Sequence, residues 1–287
     1  EYKEMNIAFC LYGLAGSLNN FNSTQGWIDI DSDVSVCEIG HNHYKNHFFK
    51  KNNNIDVFIH TWSVEEKEKL NRLYNPKKAV YQEQIYFDDF PKMENENLQK
   101  KALGCKSRWY STQKVIELKK QYEKENNIIY DYVFLTRMDI AFMTDIDINK
   151  LEAGSFYVGG QKNPQHAHVC TNDLVADWWF ISSSELIDEF AAAYNDYKKY
   201  ASLSRWYDQH RFARAKINDM KIDDKLKYMF NRDDDNKLVR ELLNNPQCKN
   251  RCNWWNYDEL TTLFSPDTDL PTSELNPGKS RHPQWKS

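Results

Sequence analysis

The stretch Tyr130–Phe142, YDYVFLTRMDIAF, constrains the fold more than any other part of the chain. Its apolar run, Tyr132-Val133-Phe134-Leu135, has the length and composition of a buried strand. The run ends in Thr136-Arg137-Met138-Asp139, and Asp139 is the only carboxylate between Asp131 and Asp145. A buried strand that delivers one acid and one base to its C-terminal edge is how an α/β sheet presents a ligand site. An acid so placed can hold a divalent metal, which in turn can hold a diphosphate.

Other segments place this strand in a larger pattern. Ile7–Tyr12 (IAFCLY) reads as a first buried strand feeding the loop Gly13-Leu14-Ala15-Gly16-Ser17. The glycine spacing there is not a dinucleotide fingerprint, because no helix-opening third glycine follows. Residues 19–40 are rich in Asn, Asp and Ser and read as an irregular insertion. Asp56–Trp62 is a second strand, Val64–Leu73 a charged helix stopped by Asn75-Pro76, and Ala79–Tyr81 a third strand. Leu98–Asn126 reads as a long helix interrupted near Gly104, with an apolar face at Trp109, Val115, Leu118 and Tyr122. Ser155–Val158 and Val175–Ser182 are further strands, and Ser184–Tyr200 is a serine-capped helix with Glu185 in its first turn. Strands alternating with helices through about residue 200 predict an α/β core with helices on both faces of the sheet. Residues 201–287 carry Trp206-Tyr207, Asp233–Asp235, Trp254-Trp255, and Pro271, Pro277 and Pro283. They are expected to form helices and an extended tail packed on that core, one compact unit in all.

Composition narrows the function classes. The formal net charge of −4 argues against a nucleic-acid protein, whose footprint is a basic surface. No apolar run approaches the roughly 20 residues of a membrane span. No charged-then-apolar signal segment opens the chain. The six cysteines (Cys10, Cys37, Cys105, Cys170, Cys248, Cys252) are too scattered for a disulfide framework, and a reducing cytosol is the expected compartment. Cys248 and Cys252 are two thiols, a local disulfide or half of a zinc site. The 17 Tyr and 9 Trp are a high count; some belong to the core, and aromatic faces also stack on sugars and bases. Asn22-Ser23-Thr24 is a glycosylation sequon of the kind that arises by chance.

Several constellations carry candidate chemistry. In Arg137-Met138-Asp139 the acid can hold a cation that neutralises a departing diphosphate, and Arg137 either adds a bidentate phosphate contact or forms a structural ion pair. The plain alternative is an exposed Asp at a strand end, and Asp145 and Asp147 follow as loop charges. Asp173 and Asp177 flank the start of an aromatic strand, ADWWF. A carboxylate beside such a Trp wall, with water excluded, is expected to gain basicity and to serve an inverting reaction as base; otherwise it caps a loop. His166 and His168 stand beside Asn163-Pro164, in a loop or as a metal pair. His60 reads as a hydrogen-bonded core histidine, Asp233–Asp235 as a solvated turn, and Gly278–His282 as a basic tail or a flap over a diphosphate.

In their order these pieces resemble a glycosyltransferase of the GT-A fold, similar to the small enzymes of bacterial surface-polysaccharide clusters and large DNA viruses. The likeness rests on IAFCLYG, NNNIDVFIHTW, Tyr74-Asn75-Pro76-Lys77, YDYVFLTRMDIAF and the later ADWWFISSSELIDEF. It covers about residues 5–200. It implies a GT-A-like mixed, mostly parallel sheet flanked by helices, with a helical and extended C-terminal region. It implies a nucleotide-diphosphate sugar as donor, a glycan or glycoconjugate as acceptor, and manganese or magnesium as cofactor. Leu11, Tyr12 and Gly13 would flank base and ribose, with Thr61 and Trp62 at the same edge. Arg108, Ser111 and Lys114 are implied contacts to ribose or phosphate. Asp139 matches the last acid of the family's Asp-any-Asp motif, but Arg137 stands where the first acid belongs. Arg137 would replace part of the cation's charge, or His168 or His282 would complete the ligand set. Asp177 or Asp173 would be the base. The rival readings are a metal-dependent phosphodiesterase or hydrolase on the same kind of sheet, and a non-catalytic carbohydrate-binding module.

Overall fold

The computed structural model describes residues 4–15, 36–85, 87, 95–160, 174–204, 207–231 and 236–239. Its centre is a seven-stranded sheet built from β1 (Ile7–Gly13), β2 (Ile55–Thr61), β3 (Lys78–Tyr81), β4 (Tyr132–Arg137), β6 (Phe156–Gly160), β7 (Ala176–Ser182) and β8 (Leu226–Asn231). The strand order is β3-β2-β1-β4-β7-β6-β8. All neighbours are parallel except at β7, which runs antiparallel to both β4 and β6. Two short strands, β5 (Ile140–Phe142) and β9 (Asn236–Leu238), pair antiparallel beside the main sheet.

Strand periodicity divides the core into two layers. In β1, Ala8, Cys10 and Tyr12 face one side, and Ile7, Phe9 and Leu11 face the other, all six at most 2% exposed. The first side packs against α3 (Glu96–Asn126), α4 (Ser184–Ala191) and α6 (Gln209–Met220) through Cys105, Trp109, Val115, Phe190, Phe212 and Ile217. The second packs against α1 (Val36–Tyr44) and α2 (Lys67–Tyr74) through Cys37, Tyr44, Leu70 and Tyr74. Continuous apolar runs are what a sheet covered on both faces requires. This is the mixed, mostly parallel α/β architecture expected of the chain. No described helix is long and apolar enough to cross a membrane.

Four elements differ from the sequence reading. α3 runs without a break through Gly104, from an Asn95 side-chain cap on the Leu98 N–H to Asn127 in the left-handed region. One glycine costs a helix about 1 kcal/mol, and the burial of Cys105, Trp109 and Ile116 offsets it. The expected helix over 184–200 is two: α4 ends at Ala191, and α5 (Tyr197–Leu203) follows a 3-10 turn. Part of the expected irregular insertion is α1, extended by a π-helical turn over Lys45–Phe49. The sheet also continues beyond residue 200, because β8 pairs parallel with β6.

Lys119 shows how α3 is locked to α4. It is 0% exposed, yet its ammonium meets Glu123 at 3.0 Å and Asp188 at 2.7 Å and donates to Ser184 Oγ. A buried cation persists only when paired in this way.

Candidate functional site

Strand order reverses once near the middle of the sheet. From β1 the chain steps outward through β2 and β3, then returns to place β4 on the other side of β1. Ligands of open α/β sheets bind outside the carboxyl ends of the strands at such a reversal. The residues there are Tyr12 and Gly13 from β1 and Arg137 from β4. The antiparallel β7 starts at the same edge, so its second residue, Asp177, joins them.

β1 ends in a turn that only glycine adopts easily: Gly13 has φ +99°, and no heavy atom lies within 4 Å of where a Cβ would stand. Its N–H donates to Ser111 Oγ at 2.9 Å, and its carbonyl accepts from Trp62 N–H at 3.2 Å. Ser111 also meets His60 Nδ1 at 2.7 Å and donates to the His60 carbonyl at 3.2 Å, while His60 Nε2 meets Gln82 Oε1 at 3.2 Å. Ser111 is therefore a brace from α3 to the ends of β1 and β2, and its hydroxyl is committed within the protein. This corrects its implied role as a ribose or phosphate contact. Leu11 is corrected too, since its side chain is 0% exposed in the core layer beneath the sheet. Thr61 is equally buried, and its Oγ1 accepts from Ser63 N–H at 3.0 Å. Trp62 stacks on Tyr110 at 5.3 Å, and Tyr194 meets Tyr110 edge-on at 5.4 Å. Lys114 pairs with Glu117 at 2.7 Å, with its ammonium 5.5 Å from the Tyr110 ring centre.

Between these walls lies a buried polar cluster. Arg108 Nη2 donates to Tyr12 Oη at 3.1 Å and to the Asp177 carbonyl at 2.9 Å, and Tyr12 Oη donates to that same carbonyl at 3.1 Å. The guanidinium carbon stands 4.0 Å from the Trp109 ring centre and 5.1 Å from that of Tyr12. Arg108 Nε lies 3.6 Å from Asp177 Oδ2, an ion-pair distance but too long for a hydrogen bond. Both Nε and Nη1 of Arg108 are buried without a hydrogen-bond partner. Asp177 Oδ1 is 2.7 Å from His210 Nδ1, which also stands 3.0 Å from the Val175 carbonyl oxygen.

These neighbours reverse the behaviour expected of Asp177. Burial pushes its carboxyl up, but His210, then Arg108 and Arg137, outweigh burial and hold it well below the usual carboxylate range. Exclusion of water does raise it, as expected, yet the cations beside it decide the sign. Asp177 is a weak proton acceptor here, and its geometry suits it to fixing the His210 ring.

Arg137 and Asp139 face each other across the turn from β4 to β5. Arg137 Nε donates to Asp139 Oδ1 at 2.8 Å and Nη2 to Oδ2 at 2.9 Å. Burial works against the Arg137 charge, and Asp139 more than offsets it. The turn is pinned on three sides. Tyr44 Oη donates to the Arg137 carbonyl at 2.5 Å, Val239 N–H donates to the Asp139 carbonyl at 2.8 Å, and Gly40 of α1 presses on Met138.

This donor set does not fit a resident divalent cation. Both Asp139 oxygens are engaged by Arg137, and the carboxylate is 1% exposed. Among the described residues no group of three or more His, Cys, Asp or Glu side chains is placed to hold an ion. His168 and His282, named as completing ligands, and Asp173, the second candidate base, lie outside the described residues, as do His166, Asp233–Asp235 and Gly278–His282. Asp145 pairs instead with Lys51 at 2.7 Å and His47 at 2.9 Å, and Asp147 with Lys150 at 3.3 Å.

The structure adds three residues that sequence reasoning missed. His210 reaches Asp177 from 33 positions along the chain, Tyr44 reaches Arg137 from 93, and Gly40 makes room for the turn. Only α1's spacing of Cys37, Gly40 and Tyr44 hinted at a helix face, and His41, Asn42 and His43 hid it. Comparison of the chain with protein families finds no matching family, and comparison with curated proteins finds no matching relative.

Proposed function

We propose that this protein is a glycosyltransferase that moves a sugar from a nucleotide-diphosphate donor to a glycan or glycoconjugate acceptor. The observation that carries the reading is the buried cluster of Tyr12, Arg108 and Asp177, with the half-buried Arg137 acting on it, at the point where strand order reverses. Two guanidinium groups at that edge suit a ligand with phosphate charge, and they strengthen in effect as negative charge builds on a departing diphosphate. The Gly13 turn lets a ligand approach backbone with no side chain between. The Trp62–Tyr110 stack beside it offers an aromatic wall of the kind that bases and sugars use. Beside that cluster, Asp177 steadies His210.

Two further features bear on the rivals and on location. A metal-dependent hydrolase needs clustered ligands, and the described residues supply none. A simple glycan-binding surface has no use for a buried Arg108 with donors left over. Cys10 and Cys105 are buried thiols, which is compatible with the cytosolic location we propose.

The test is turnover. Purified protein is incubated with a panel of nucleotide-sugars, and nucleoside diphosphate release is followed with and without glycan acceptors. Release from one donor class, raised by an acceptor, is the expected result. No release above blank from any donor overturns the proposal, and phosphate release from simple esters instead favours a hydrolase.

A further inference from the structure

We infer that the counter-charge for the donor diphosphate is built into the protein as guanidinium groups, Arg137 backed by Arg108, and that Asp139 aims Arg137 rather than holding a cation. The inference rests on the reading of this edge as a nucleotide-diphosphate site.

A guanidinium carries five N–H donors in a rigid fork. Asp139 takes two of those on Arg137, from Nε and Nη2. The remaining donors suffice for a bidentate phosphate contact. The pair is graded in depth: the Arg137 side chain is 22% exposed and that of Asp139 1%. The lip of the site thus presents the cation, with its carboxylate partner behind it. Arg137 is also rigidly held, because Tyr44, Val239 and Gly40 fix the backbone of its turn. A group already set in its binding geometry loses little freedom when the ligand arrives.

Arg108 is the second independent observation. It is 8% exposed; its Nη1 has no hydrogen-bond acceptor, and its Nε reaches Asp177 Oδ2 only at an ion-pair distance of 3.6 Å. Buried donors are nearly always satisfied, so a guanidinium whose Nη1 is left over marks a place where an anion's oxygen completes the shell. Recruiting Asp139 to a cation would strip Arg137 of its partner and leave a charge unpaired in a largely buried turn. Asp139 is therefore a positioning residue, and the phosphate ligands are arginines.

Calorimetric titration of the full chain with UDP, GDP, TDP and ADP, first in EDTA and then in manganese, tests this. At least one nucleotide is expected to bind in EDTA, with manganese changing its Kd by less than about tenfold. Binding that requires manganese, or strengthens by that factor or more, overturns the inference while leaving the glycosyltransferase reading standing. Failure of all four nucleotides in both buffers overturns both. The double variant Arg137→Gln/Asp139→Asn removes the pair without leaving a lone charge. It is expected to keep the wild-type circular dichroism spectrum and to bind the nucleotide about 30-fold more weakly in EDTA. Unchanged affinity in that variant overturns the role given to Arg137.

Discussion

Gly40→Ala is expected to destabilise the fold by about 3 kcal/mol, the upper end of the usual range for overpacking, and to weaken nucleotide binding with it. By helix propensity alone the change should stabilise, because alanine is preferred to glycine in a helix by about 1 kcal/mol. Tertiary structure reverses that sign. A Cβ at Gly40 would lie 2.0 Å from the Met138 carbonyl oxygen and 3.1 Å from its carbon. Both are backbone atoms of the β4–β5 turn, so no rotamer change relieves the overlap. Either α1 retreats from the sheet, opening the core layer around Tyr44, or the turn moves and takes Arg137 and Asp139 with it. Urea unfolding measures the first effect and calorimetric titration with nucleoside diphosphate the second. A variant as stable as the parent, or more so, contradicts the packing described for α1.

Acidification is expected to destabilise the protein steeply between about pH 6.5 and pH 4, before most carboxylates titrate. Burial pulls His43 down to about 3, with His47 nearby adding to it. Burial likewise pulls His41 down to about 4, helped by Lys45. His60 falls to about 4 through burial, against the partial support of Gln82. Each ring is neutral in the native state at neutral pH and has a folded value below its unfolded one. Below pH 6.5 the unfolded chain therefore binds more protons than the folded one, and stability drops as pH falls. Each fully buried histidine costs about 1.4 kcal/mol per pH unit in that window. Three of them together approach the total stability of an ordinary domain by about pH 4.5, even after discounting the half-buried His41 for solvent screening. Urea midpoints measured at unit steps from pH 7 to pH 4 check this. A midpoint that stays flat from pH 7 to pH 5 contradicts it.

The sheet was legible because its strands are short apolar runs separated by charged segments. β1, β2, β4 and β7 fall within a residue or two of where those runs placed them. α1 was not legible, since VCEIGHNHY carries His41, Asn42 and His43, polar in sequence, of which His43 is buried in the fold and the other two half-buried. β8 was hidden because its place in the sheet depends on pairing with β6, some 70 positions away in register from Phe156 to Leu226.

The site was half legible. Tyr12, Gly13, Arg108, Arg137, Asp139 and Asp177 do converge at one edge. Their roles differ because charge partners set them, and partners come from distant segments. Asp177 looked like a base until His210 and Arg108 were beside it, and Asp139 looked like a metal ligand until Arg137 proved to hold both its oxygens.

The most direct measurement of the central claim is a crystal structure of the protein with a nucleotide-sugar or nucleoside diphosphate bound. The diphosphate is expected within hydrogen-bond distance of Arg137, at the carboxyl ends of β1 and β4, with Asp139 still paired to that arginine. A diphosphate bound at another edge of the sheet, or one held by a metal ion on Asp139 with Arg137 turned away, would contradict the account.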